Sequence, residues 1–389
     1  MTARRTALLL VAGLLLVACS MRSPLTGVGP LLPVLSADSG LGAAAAGALT
    51  SLPLLAFAGC SPFVPRAAAR WGTRGTLVAA LVVLVAGGAL RWVPGAVPLF
   101  AGTALVGAGI AVANVLLPAL VRAEFPGRTT LLTSGYVVLM QVAGSLASGV
   151  AVPLAQHLSG GWRTALAVWA APALAAALLW LPLVRGGRPP GTAAPHARPP
   201  WRSPLAWAVT AFMGLQSVQF YVLLSWLPTV LHERSGADAA AAGWLLSLMQ
   251  VAGVVGSLLV PVVTGGSATR ARRAAVGSSL LSLVGVVGLV ALPHAPAAPV
   301  ALTGLGMGGS VVLALAAMSS RAADGRAAVS LSGMAQSLGY LAAALGPVLI
   351  GAVHTASGTW TLPLLLLAAV AAVQPLAARA AGRDAVVPA

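Results

Sequence analysis

The chain has 389 residues, 59% of them hydrophobic and only 7% charged, a balance that excludes a soluble domain and marks a polytopic membrane protein. Its formal net charge of +16 sets 22 basic residues, all Arg, against six acidic ones, and all but one of the arginines stand in short breaks between apolar runs. That placement is a topology signal rather than a nucleic-acid footprint. Cys19 and Cys60 both lie in apolar stretches and offer neither a disulfide framework nor a metal site, so no cofactor is expected.

The first residues, MTARRTALLLVAGLLLVAC, have the basic start, apolar core and Cys19 of a bacterial lipoprotein signal. The apolar run does not stop at Cys19 but continues to Leu35, so a retained first span is expected. Within it, Ala18–Leu35 reads ACSMRSPLTGVGPLLPVL. Arg22 lies 17 residues after Arg5 and 16 before Asp38, the nearest charges on either side. A helix rising ~1.5 Å per residue would put Arg22 near the bilayer midplane, where a charge usually faces a cavity or a partner. Pro24, Pro30 and Pro33 each remove a donor and free the carbonyl four residues back. Unwound backbone at that depth belongs beside a water-filled cavity or inside protein. The plainer alternative is a kinked helix with Arg22 held internally.

Further apolar segments follow in order. The first half reads as spans at about 6–35, 43–64, 75–92, 98–121, 130–156 and 163–184. Arg185–Arg202, RGGRPPGTAAPHARPPWR, is basic and rich in Pro and Gly and cannot hold a helix. The second half reads as spans at about 204–231, 239–264, 274–292, 298–318, 328–353 and 361–378. The expected architecture is an all-α membrane protein with twelve transmembrane helices: a bundle over 1–184, a cytoplasmic linker over 185–202 and a second bundle over 203–389. Alternate loops collect 18 arginines on one side, whereas Arg91, Arg163 and Arg234 stand on the other. Both termini are therefore expected in the cytoplasm, with the protein in the inner (plasma) membrane.

The halves resemble each other. Pro33 and Pro228 are offset by 195 residues, the AAAAG runs at 43–47 and 239–243 by 196, and VRAEFPGR and SRAADGR by 198 to 199. A six-span repeat joined by one cytoplasmic linker gives two bundles in parallel orientation, with the site expected between repeats near the midplane.

Six plus six spans with a basic central loop resemble the major facilitator superfamily. PRAAARWGTRG at 65–75 is similar to its Gly/Asp/Arg-rich motif, with Ala69 at the usual acidic position. RSPLTGVGPLLP at 22–33, GALTSLPLLAF at 47–57, GIAVANVLLPALVRAEFP at 109–126, GWRTALAVWAAPAL at 161–174 and LQSVQFYVLLSWLP at 215–228 resemble the cyanate/nitroimidazole transporter family within it. Ser20-Met21 stands where that family usually has Asn-Leu. The resemblance implies a secondary transporter of small polar or anionic compounds, not an enzyme.

Few polar side chains interrupt the spans. Gln216 and Gln219 are three apart and share a helix face near the repeat equivalent of Arg22, as a pair of amides opposite the Arg or as interhelical glue. Tyr221, two positions past Gln219, points elsewhere. Asn114 lies eight residues before Arg122; Tyr136 is a weaker candidate; Gln336 and Tyr340, four apart, share a face. The glycines at 107, 109, 304, 306, 308 and 309 read as close-packing positions rather than a phosphate loop. All six acidic residues and all five His fall in loops or at span ends, so no carboxylate is placed to carry a proton through the membrane. The expected function is secondary-active transport of a small polar or anionic solute by alternating access. Substrate-binding residues are expected at Arg22, Asn114, Tyr136, Gln216, Gln219, Gln336 and Tyr340. The expected partners are a small molecule and lipid, without nucleic acid, and the working unit a monomer. The rivals are a drug or metabolite exporter of the same fold and, further off, a lipid-anchored protein or a polytopic membrane enzyme.

Overall fold

The computed structural model describes residues 3–60, 63–125, 129–186, 200–323 and 325–387. Among them, twelve helical stretches are long and apolar enough to cross a membrane, from Leu9–Thr26 to Thr361–Ala381. Apart from one isolated bridge between Ala322 and Val387, the described residues form helices, turns and loops.

The first span is two helices, α1 (Ala3–Thr26) and α2 (Val28–Ser39), separated at Gly27. The break falls among the three prolines, as the missing donors require. Then come α3 (Ala43–Cys60), α4 (Val64–Trp71), α5 (Thr73–Leu90), α6 (Ala96–Glu124) and α7 (Thr129–His157). The stretch read as a loop between spans two and three therefore contains a short helix, α4, with Pro65 in its first turn where a missing N–H costs nothing. The sixth span is divided as well. α8 (Gly161–Ala167) passes through a 3₁₀ turn at Val168–Ala170 into α9 (Ala171–Trp180) and ends in a second one at Leu181–Gly186. Pro172 has no N–H to give the carbonyl of Val168, which accounts for the change of winding there.

The second half runs α10 (Pro204–Ser235), α11 (Ala239–Thr264), α12 (Ala268–Ala291), α13 (Ala297–Ser320), α14 (Gly325–Ser357) and α15 (Thr361–Ala381). α10, α11 and α12 start on Ser203, Asp238 and Ser267, whose side chains accept from backbone N–H groups of the first turn.

Two compact units result, one of Met1–Leu41 with Leu52–Ala193, the other of Gly42–Ser51 with Ala194–Ala389. In the first, α1 packs on α7 and α9, and α5 on α6, around Leu14, Leu77, Leu81, Leu84 and Trp180. In the second, α10 packs on α14 and α13 on both α11 and α12, around Phe212, Met213, Leu313 and Leu331. Close approach in the α11–α13 pair depends on glycine: a Cβ on Gly308 would collide with the carbonyl of Gly253.

Candidate functional site

Arg22 sits half-buried in the last two turns of α1, just before the break. The final carbonyls of a helix lack intrahelical partners, and here one of them is taken by another arginine. Arg91 follows α5 directly. Its Nη1 donates to the Pro24 carbonyl at 3.1 Å and its Nε to Thr103 Oγ1 at 3.1 Å, while Thr103 Oγ1 donates to Leu99 O at 2.7 Å. The sequence counted Arg91 with the loops, yet it is only 1% exposed. It ties α1, two residues past Arg22, to α6, and places positive charge at the carbonyl end of α1, where the helix dipole favours it. From the other side of the same turn, Thr26 Oγ1 donates to Gly144 O of α7 at 2.7 Å.

The other expected site residues of the first unit differ in environment. Asn114 is exposed on α6, and Tyr136 is buried on α7.

In the second unit the two amides of α10 part company. Gln216 is buried and its Nε2 donates to Ser217 Oγ at 2.8 Å. Gln219 is 0% exposed and lies in a network spread over four helices. Its Nε2 donates to Gln374 Oε1 of α15, and its Oε1 accepts from Ser282 Oγ of α12 at 2.9 Å. Gln374 Nε2 in turn donates to Ser279 Oγ at 3.1 Å and to Ser310 Oγ of α13 at 3.0 Å. Both ends of the Gln219 amide are thus engaged in holding helices together.

On α14, Gln336 is half-buried and donates to Ser332 Oγ at 2.7 Å. Tyr340 is half-buried and meets Tyr221 edge-on, with ring centroids 6.4 Å apart. By helical spacing Tyr221 points away from Gln219. That direction brings it to Tyr340, with Phe220 edge-on to it at 5.1 Å. The structure therefore joins Tyr340 to Tyr221, and Gln219 to Gln374, while the spacing had grouped Gln219 with Gln216.

Twelve helices of span length in two units, the first of them broken and carrying a cation, define a multi-pass membrane protein. The Major Facilitator Superfamily model matches residues 10–347, and the chain belongs to that family. It is 40% identical to the 2-nitroimidazole transporter of Escherichia coli (strain K12) over 97% of this chain and 96% of that one. It is 29% identical to the cyanate transport protein of the same organism over 89% and 90% of the two chains. These similarities bear out the expected resemblance to the cyanate/nitroimidazole transporters. Among solved structures, a nucleoside transporter shares the fold, with a TM-score of 0.77, 14% identity and 98% and 99% of the two chains covered.

Proposed function

We propose that this protein is a secondary-active transporter of a small polar or anionic solute, working by alternating access of two six-helix halves, 1–184 and 203–389. In this reading it acts as a monomer in the inner membrane, with both termini and the 185–202 linker in the cytoplasm. Arg22 contacts the solute's negative or electron-rich group.

The observation that carries the reading is the seating of Arg22 at the α1–α2 break, beside a turn whose backbone is tied down by Arg91 and Thr26. A broken helix in a transporter places irregular backbone where it lines a solute path. Arg offers a planar fork of donors suited to a flat or oxyanionic group. Asn114, Gln336 and Tyr340 keep accessible surface and are assigned to neutral contacts with the solute. Gln216 and Tyr136, both buried, are assigned to the wall behind them, and Gln219 to packing.

The first probes are cyanate and 2-nitroimidazole, the compounds named for the two relatives. Uptake of each, labelled, is measured in proteoliposomes of the purified protein and of Arg22→Ala and Arg22→Lys. Arg22→Ala is expected to lose uptake at least about tenfold, the scale of a hydrogen bond to a charged group, with its melting temperature unchanged. Arg22→Lys keeps the charge without the fork and is expected to fall between. Normal uptake by Arg22→Ala would sink the assignment, and a joint loss of uptake and stability would make Arg22 a packing residue.

A further inference from the structure

The second unit holds a cavity of about 50 Å³ at the end of the bundle where α12 begins and α13 and α15 finish. Phe212, Leu313 and the alanines of α13 and α15 form its apolar wall. Its charged lining is Arg272 and Arg321, and no acidic side chain of the described residues lines it.

The internal repeat explains why this is unusual. In the first unit α5 and α6 close at Gly109, where a Cβ would stand 2.6 Å from Ala80 O and 2.8 Å from Leu84 Cβ. In the second, α12 and α13 close at Gly306, where a Cβ would stand 2.5 Å from Ser278 O and against Ser282 N. Ala80 and Leu84 correspond to Ser278 and Ser282 by a shift of 198 residues, and Gly109 to Gly306 by 197. The same shifts carry Arg74 to Arg272 and Glu124 to Arg321, so the packed helices α6 and α13 are in register at 197, not at the 198 to 199 by which VRAEFPGR and SRAADGR match in the sequence.

In the first unit these positions form a buried ion pair. Arg74 donates from Nη2 and Nε to Glu124 Oε1 at 2.7 and 3.0 Å, and from Nη1 to Leu183 O at 2.9 Å. In the second unit a cation stands where the acid was. Arg321 Nη2 donates to Gly382 O at 3.4 Å, and its Nη1 lies 3.7 Å from Asp384 Oδ1, on a carboxylate that is fully exposed. The carbonyl ends of α13 and α15 offset part of the two positive charges. They do not supply the acceptor that Glu124 gives Arg74. Arg321 is buried and Arg272 half-buried, so water screens the pair less than it would on the surface.

We infer that the Arg272–Arg321 cavity binds a phosphate group. Two guanidinium forks on one small cavity match a tetrahedral oxyanion. The cavity lies at the ends of spanning helices, at the level where basic pockets between such helices take lipid headgroups. The phosphate therefore comes either from an anionic phospholipid or from free inorganic phosphate, bound by the same two side chains.

The test uses the full-length protein purified in a neutral detergent. Its melting temperature is followed on adding phosphatidylglycerol, phosphatidylcholine or inorganic phosphate, for the wild type, for Arg272→Gln/Arg321→Gln and for Arg70→Gln, which removes an exposed charge from the other unit. A rise with phosphatidylglycerol but not phosphatidylcholine identifies a lipid headgroup, and a rise with inorganic phosphate a free anion. Either supports the site when the double variant binds about tenfold or more weakly and Arg70→Gln binds as the wild type does. No rise with either phosphate source, or a rise that survives the double substitution, overturns it. If the double variant does not fold, native mass spectrometry of the wild type decides. Phosphatidylglycerol or phosphate retained in preference to phosphatidylcholine supports the site, and no such preference overturns it.

Discussion

At the start of α5, Arg74 meets Glu124; at the start of α12, Arg272 shares a cavity with Arg321. The two places have equivalent scaffolds, with a glycine on α6 or α13 admitting the neighbouring helix within van der Waals range. The side chains laid on that scaffold carry opposite electrostatics. The repeat therefore keeps what close packing demands and leaves charge to diverge. Packing at a glycine has one solution, whereas a charged position can be satisfied by a residue or by a ligand. A buried cation answered by a largely buried carboxylate is self-contained, and one that shares a cavity with a second cation and meets a fully exposed carboxylate leaves room for an anion from outside.

The largest test of this contrast removes the acid of the first unit. Arg74 is mostly buried, and Glu124 Oε1 accepts two of its N–H bonds. Glu124→Gln leaves Arg74 with the Leu183 carbonyl and a neutral amide, and breaking one side of a buried pair costs about 3 kcal/mol. Thermal unfolding of the purified protein should show a clear fall in melting temperature, unrelieved by phosphatidylglycerol. A loss below about 1 kcal/mol would mean that Arg74 needs no acid, and the contrast between the units would lose its basis.

A smaller effect is expected from writing the first unit's chemistry into the second. Arg321→Glu places a carboxylate opposite Arg272, as Glu124 stands opposite Arg74. The variant should melt higher than the wild type by about 1 kcal/mol of added stability, and phosphate or phosphatidylglycerol should no longer raise it further. The readouts are the melting temperature with and without lipid. A variant that melts lower than the wild type, or still responds to phosphate, would show that the two positions do not face one another as the repeat implies.

Much of this was legible in the sequence, for physical reasons. Apolar runs of span length announce helices because the bilayer demands them. Three prolines within ten residues announced the break in the first span because each removes a donor. Constant offsets announced the halves. The pairings between distant segments were not legible. Arg74 reads as one more loop arginine, and its partner lies 50 residues on. The spacing of Gln219 fits solute and packing alike, because the groups that engage it, Gln374 and Ser282, come from two other helices. Arg91 looked like a loop residue beside Pro94 and Gly95. Its one local sign was Thr103, 12 residues on and across the turn in the next helix, the partner its Nε meets. In each case helical periodicity specified a face, and the topology then decided what that face would meet.

The smallest effect is expected at the opposite ends of the helices, where the repeat recurs with milder chemistry. In the first unit Asp38 Oδ2 accepts from Trp162 Nε1 at 3.3 Å and pairs with Arg163 Nη2 at 2.8 Å, the guanidinium lying over the Trp162 ring at 4.3 Å. In the second, Glu233 Oε2 accepts from Trp360 Nε1 at 2.8 Å and lies 3.3 Å from His354 Nε2, the imidazole stacked on the Trp360 ring at 4.0 Å. Acid and tryptophan recur, at offsets of 195 and 198, whereas the flat basic group differs: Arg163 follows its tryptophan directly, and His354 comes from the end of α14, with Thr361 at the position equivalent to Arg163. His354→Arg gives the second rim the same three groups as the first, because guanidinium also stacks on indole and reaches a carboxylate. Both carboxylates are 44% exposed, so water screens each pair, and such surface pairs are worth little. The substitution should therefore change unfolding stability by no more than about 0.5 kcal/mol. A change above about 1 kcal/mol in either direction would show that charge divergence matters at this end too. The contrast drawn between Arg74–Glu124 and Arg272–Arg321 would then cease to be a matter of burial.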